Sequence, residues 1–173
     1  MLYFRKLTTR RLGQAIFNSF FTHLPSLLFN RQKIRLLRIL GADIAVSAKL
    51  GNHVKILGPT GLVIESDVAV ASDVVLDARG GLHLQRGALI GFESILLTYT
   101  HASSDSTRPV HHQGVVSRPI TIGENCWIGA RCIVLPGGSV GSRSIVGASA
   151  VVSRSVPDDS IAVGNPARTV KTR

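Results

Sequence analysis

Three of the six histidines in this chain, His101, His111 and His112, fall in or beside one twenty-residue stretch. Imidazole titrates near neutral pH, so it can take a proton from a hydroxyl or amine as that group attacks an electrophile. A second set of residues suited to chemistry lies at the C-terminal end, where Arg154, Arg168, Lys171 and Arg173 cluster. Guanidinium and ammonium groups are the usual partners of phosphates. His53 and His83 stand apart from both sets and read as surface residues.

These groups are positioned by a repeat. An aliphatic residue opens each of fifteen hexapeptides between Ile44 and Pro157. The openers are Ile44, Leu50, Ile56, Leu62, Val68 and Val74, then Leu84, Ile90 and Leu96, then Ile122, Ile128, Val134, Val140, Val146 and Val152. A small residue follows four positions later in most units, as in Ala48, Ser94, Cys126, Cys132 and Ala150. Neither helix nor isolated strand repeats every six residues. This period predicts a parallel β-helix, in which three hexapeptides close one triangular coil and residues 18 apart stack at the strand spacing. The expected fold is all-β, a left-handed parallel β-helix of about five coils rising roughly 24 Å. Glycines after the openers (Gly51, Gly91, Gly123, Gly129, Gly141, Gly147) fit turns that need positive φ or a crowded backbone.

Three segments follow. Residues 1–43 lack the repeat and hold five of the six phenylalanines among leucines and basic residues, so they read as a helical cap, with a second helix over Arg31–Leu40 ended by Gly41. Residues 44–157 form the solenoid, with residues 102–121 leaving the repeat as a protruding loop; a loop of this length in a regular solenoid is usually functional. Residues 158–173 form a basic tail. The net charge is +10, and Arg5, Lys6, Arg10, Arg11, Arg31, Lys33, Arg35 and Arg38 all precede Asp43, the first acidic residue. Such charge invites phosphate or anionic lipid, and the basic, aromatic N-terminal segment suits peripheral contact with an anionic membrane. No aromatic-interleaved or recognition-helix motif points to a nucleic-acid partner. The apolar run Ala15–Phe29 is too short and interrupted to span a bilayer, and it lacks the cleavage signature of a signal peptide. Cys126 and Cys132, six apart, should face different sides of the prism and remain reduced thiols in the cytoplasm.

The segment ITIGENCWIGARCIVLPGGSVGSRSIVGASAVVSRSVPDDSIAVGNPARTVK, residues 120–171, resembles the C-terminal half of the hexapeptide-repeat acyltransferases, closest to the maltose, galactoside and polysaccharide O-acetyltransferases. The stretch KIRLLRILGADI, residues 33–44, resembles the corresponding segment of bacterial cell-surface polysaccharide acetyltransferases. The resemblance implies acetyl-CoA as co-substrate, no metal, and direct transfer to a sugar hydroxyl, with His101 as general base where the last regular coil meets the loop. It places the cofactor along Trp127, Ala130, Ala148, Ser153, Arg154, Arg168 and Lys171, and it implies a homotrimer with sites between adjacent prisms. The acceptor-binding asparagine and aspartate of galactoside acetyltransferases fall on Ala71 and Arg79, which cannot play those roles. Asp77 or Asp73, with His111 and His112, are the remaining candidates for acceptor contact.

Other activities share this prism. The γ-type carbonic anhydrases hold zinc with three histidines, two of them in later coils, and no histidine follows His112. Serine acetyltransferase carries a long helical N-terminal domain that these residues do not provide. N-acetylation of an amino sugar or antibiotic needs the same base and stays open, as does a non-catalytic scaffold. The expected enzyme acts in the cytoplasm, peripheral to the inner membrane.

Overall fold

The computed structural model describes residues 12–173; Phe4, Arg5, Lys6, Arg10 and Arg11 lie outside them. The hexapeptide period becomes a left-handed β-helix of about six turns. Its strands form three parallel faces of five, six and five levels, and the second face gains a seventh, antiparallel strand. The inward aliphatics stack in register: Ile44, Ile64, Leu84, Ile122 and Val140 on the first face, and Leu50, Val70, Ile90, Ile128, Val146 and Ala162 on the second. Ile56, Leu76, Leu96, Val134 and Val152 stack on the third. All are at most 3% exposed, giving a narrow core that only side chains from adjacent coils can fill.

The stacking predicted for residues 122–157 holds, with Ile122 beside Val140, Ile128 beside Val146 and Val134 beside Val152. The second coil is displaced by two residues from the expected register. Its inward residues are Ile64, Val70 and Leu76; Leu62 opens the same first-face strand, and Val68 and Val74 fill the corners, all buried. The cause is a longer turn at the corner from third to first face. Gly58 takes φ +66 and Pro59–Gly61 forms a single 3-10 turn, so these coils need 20 residues rather than 18. Both Leu62 and Ile64 are apolar and buried, so the hexapeptide count could not tell them apart. The sixth level comes from Ser160–Val163, which pairs in parallel with Ile145–Val146, and Arg168–Thr172 folds back on it antiparallel.

The glycines that follow openers do not carry the positive φ. Left-handed backbone falls instead two residues further on, at residues such as Asp67, Asp73, Asn125 and Arg143, and Asx side chains tolerate that region best. The glycines are there for space: a Cβ on Gly51 would sit 2.5 Å from the Ala71 carbonyl carbon, and one on Gly129 would sit 2.6 Å from the Ala148 nitrogen.

The cap closes the first coil through side chains. Residues 12–19 are helical, and the second helix is Ser26–Ile39, starting five residues before the expected point, directly after Pro25. Its N-terminus is completed from the solenoid, since Asn52 Oδ1 accepts from the Ser26 amide at 2.8 Å. The buried Lys33, Ile34 and Leu37 face the prism. Asn18 accepts from the Ile56 amide and donates to its carbonyl, and Asn30 does the same for the Leu50 amide and the Ala48 carbonyl. Two amide side chains thereby occupy backbone groups of the open strand edge. No described helix is long and apolar enough to cross a membrane.

Candidate active site

His101 stands on a two-stranded antiparallel hairpin, Tyr99–His101 against Val115–Ser117, that springs from the third-to-first corner. The excursion therefore starts at Thr98 and ends at Ile120, which returns beside Leu82 in the first face. The buried Thr98 ties its base: Oγ1 donates to the Asp77 carbonyl at 2.7 Å and accepts from the Gly80 amide at 2.8 Å, and the Thr98 carbonyl accepts from the Arg118 amide. Gly80 is required there, because a Cβ would lie 2.4 Å from the Thr98 oxygen.

Beneath the hairpin lies a charged stack. Asp77 is 1% exposed at the end of the Val75–Asp77 strand. Both its carboxylate oxygens accept from Arg79, at 2.9 Å from Nε and 2.6 Å from Nη2, a fork that raises the guanidinium pKa. The guanidinium carbon is 3.8 Å from the centroid of the Tyr99 ring, a cation–π stack. Tyr99 in turn meets His101 edge to face, with centroids 6.3 Å apart. Among the described residues neither nitrogen of His101 has a hydrogen-bond partner, and the side chain is exposed. Tyr99 and Thr98 were not among the residues singled out in the sequence, and Arg79 only as unable to replace an acceptor-binding aspartate. With the true coil length of 20, Arg79 falls directly below Tyr99; with 18 it does not.

His111 and His112 sit on a single 3-10 turn, Val110–His112, with rings 4.1 Å apart and both exposed. That segment is knitted by its own polar groups. Gln113 bridges the Asp105 amide and carbonyl and the Arg108 carbonyl, and Arg108 donates to the His112 carbonyl. Thr107 donates twice to Asp105, holding that carboxyl below its ordinary range. Asp77 does not contact either histidine; its carboxylate is committed to Arg79.

The expected cofactor residues spread over several edges of one prism. Trp127 projects half-exposed from the second face between Leu89 and Ile145. Ala130 and Ala148 occupy stacked second-to-third corners, beside Gly129 and Gly147, whose missing side chains let the next coil pack closely. Ser153 and Arg154 lie at the third-to-first corner, and Arg168 and Lys171 on the last strand beside the second face. Arg154, Arg168 and Lys171 are exposed and make no salt bridge among the described residues, whereas Arg143 is spent on Asp159. Three exposed cations without ion-pair partners suit a phosphate-bearing ligand. Cys126 and Cys132 are buried free thiols, each donating to a carbonyl of the next coil (Gly141 and Gly147). Burial pushes both thiols up.

The chain is similar to known proteins over almost its whole length. The family described as "hexapeptide repeat of succinyl-transferase" matches residues 119–154. WcaF of Escherichia coli K12, which carries the name of a colanic acid biosynthesis acetyltransferase, is 31% identical over 94% of this chain and 86% of its own. The galactoside O-acetyltransferase of the same organism is 33% identical over 46% of this chain and 41% of its own. A hexapeptide-repeat acetyltransferase of Vibrio cholerae, solved with acetyl-coenzyme A, has the same fold at a TM-score of 0.85 and 22% identity, covering 95% of this chain and 87% of that one. With WcaF matched across most of both chains, this protein belongs to the hexapeptide-repeat acyltransferases.

Proposed function

We propose that the protein O-acetylates a sugar hydroxyl during cell-surface polysaccharide biosynthesis in the cytoplasm, with His101 as general base. In this reading a nitrogen of His101 accepts the hydroxyl proton while the oxygen attacks the thioester carbonyl. The C–S bond then breaks, and the sulfur leaves as the CoA thiolate. The observation that carries the assignment is the hairpin itself: it is the long excursion from the solenoid among the described residues, it carries His101 exposed, and it is braced from below by the Asp77–Arg79–Tyr99 stack. The name that WcaF carries supports a polysaccharide acceptor.

A single prism disperses the cofactor set, with Trp127 on the second face and His101 at the corner beyond the third. This dispersal supports a homotrimer in which one subunit's His101 serves the cofactor held largely by its neighbour. Arg154, Arg168 and Lys171 are assigned to the CoA phosphates, Ser153 and the backbone at Ala130 and Ala148 to its pantetheine arm, and Trp127 to the wall of the cleft. His111 and His112 are assigned to the acceptor. Asp77 acts through Arg79 instead, because its carboxylate is buried and forked onto that guanidinium.

The test is release of CoA thiol from acetyl-CoA with a panel of nucleotide- and lipid-linked sugars. His101→Ala should lose about 10²–10⁴-fold in turnover with CoA binding intact. A fully active variant would remove His101 from the chemistry, and acetylation of amino sugars alone would replace the O-acetyl reading with an N-acetyl one.

A further inference from the structure

The cap presents an outer surface that the acetyl-transfer reading leaves unused. Within Ser26–Ile39 the face carrying Lys33, Ile34 and Leu37 is buried on the solenoid, so the opposite face points away from the prism at its N-terminal end. That face holds Leu27, 95% exposed, Leu28 and Ile39, each 69% exposed, and between them the exposed Arg31 and Arg35. In residues 12–19 and the turn beyond, Leu12, Ile16 and Phe20 recur every four residues, the spacing of one helical face, and all three are exposed. Large aliphatic and aromatic side chains this exposed on two neighbouring segments are unusual for a surface that meets only water.

Charge selects the partner. The first 42 residues contain no Asp or Glu, and among the described residues Arg31 and Arg35 make no ion pair. Apolar side chains that can enter an acyl boundary, flanked by arginines with no acidic neighbours, match the interfacial zone of an anionic bilayer. A protein groove would leave those guanidiniums to be desolvated without a partner. We infer that the outer face of the cap, centred on Leu27, Leu28, Arg31 and Arg35, docks the protein end-on against an anionic lipid surface. This inference does not depend on the acceptor or on the role of His101.

The test is co-sedimentation of the full chain with vesicles of phosphatidylcholine alone and with about one-third phosphatidylglycerol. Binding should be at least tenfold stronger to the anionic vesicles and should fall steeply at 0.5 M salt, as expected for surface arginines. Leu27→Asp/Leu28→Asp should abolish it, and Arg31→Gln/Arg35→Gln should weaken it about tenfold. These positions are exposed, so both variants should keep the wild-type melting temperature and acetyl-CoA turnover on a soluble acceptor. Absence of anionic-vesicle binding, or equal binding by the leucine variant, would overturn the inference. So would finding that this face instead joins two copies, seen as a larger oligomer in light scattering that Leu27→Asp/Leu28→Asp disperses.

Discussion

Removing the guanidinium beneath the hairpin should destabilise the protein chiefly through the carboxylate it leaves behind. Asp77 is 1% exposed and takes both Arg79 hydrogen bonds, so Arg79→Met strands a buried negative charge. Breaking a buried ion pair on one side costs about 3–5 kcal/mol. Two features place this case at the lower end. Arg79 is itself 43% exposed, so water can reach the vacated side, and the Arg79 backbone amide still donates to Asp77 at 3.2 Å. Loss of the stack on Tyr99 adds back about 0.5–1 kcal/mol. The sum is about 3.5–4 kcal/mol. In Asp77→Asn/Arg79→Met the charge is gone and the amide bond to residue 79 survives, so the double variant should be more stable than Arg79→Met by at least about 1 kcal/mol. Urea denaturation at one fixed protomer concentration reads both values. If the double variant is no more stable than the single one, the stranded charge is not the dominant cost and the account of the stack fails.

Burial raises the Cys126 and Cys132 thiols, so the folded state holds their protons more tightly than the unfolded chain. Their contribution is complete below the ordinary thiol pKa near 9.0 and is lost as pH rises above it, which denaturation midpoints from pH 8 to 10.5 should show and Cys126→Ser/Cys132→Ser should flatten. Gly129→Ala should cost about 1–3 kcal/mol in the same assay, because its Cβ would press on the backbone of the next coil at Ala148, with nothing flexible to yield. Arg168→Ala/Lys171→Ala should weaken CoA binding by about tenfold in calorimetry, with a shallower salt dependence than wild type; an unchanged affinity would place the phosphates elsewhere.

The repeat made the solenoid legible because its period is carried by side-chain type alone: aliphatic inward, small at the corner. Where two candidate openers were both apolar, as at Leu62 and Ile64, type no longer distinguished them and the register slipped. That slip had a cost at the site. Arg79 and Tyr99 become neighbours only when the coil is 20 residues long, so their stack was hidden by the same two residues. The turn that lengthens the first coil is marked in the sequence by Gly58-Pro59-Thr60-Gly61, and the one that sets the spacing from Arg79 to Tyr99 by Gly80-Gly81. His101 was locatable through family likeness and its place beside the long loop, but a hairpin rather than a coil end carries it. The start of the second helix depended on Asn52, a residue 26 positions away, which no local capping rule supplies.

The amide pairs of Asn18 and Asn30 also bear on how long such an assembly can grow. A stack of parallel strands has no intrinsic stopping point, since each terminal rung offers unpaired donors and acceptors to whatever strand arrives next. Here one end is occupied by two asparagine side chains and the other by the reversed strand Arg168–Thr172. The N-terminal rung is thereby denied to an incoming strand by side chains of the cap, Arg38 on the Ile44 carbonyl among them, and the last rung of the second face by a strand running the wrong way to extend the parallel stack.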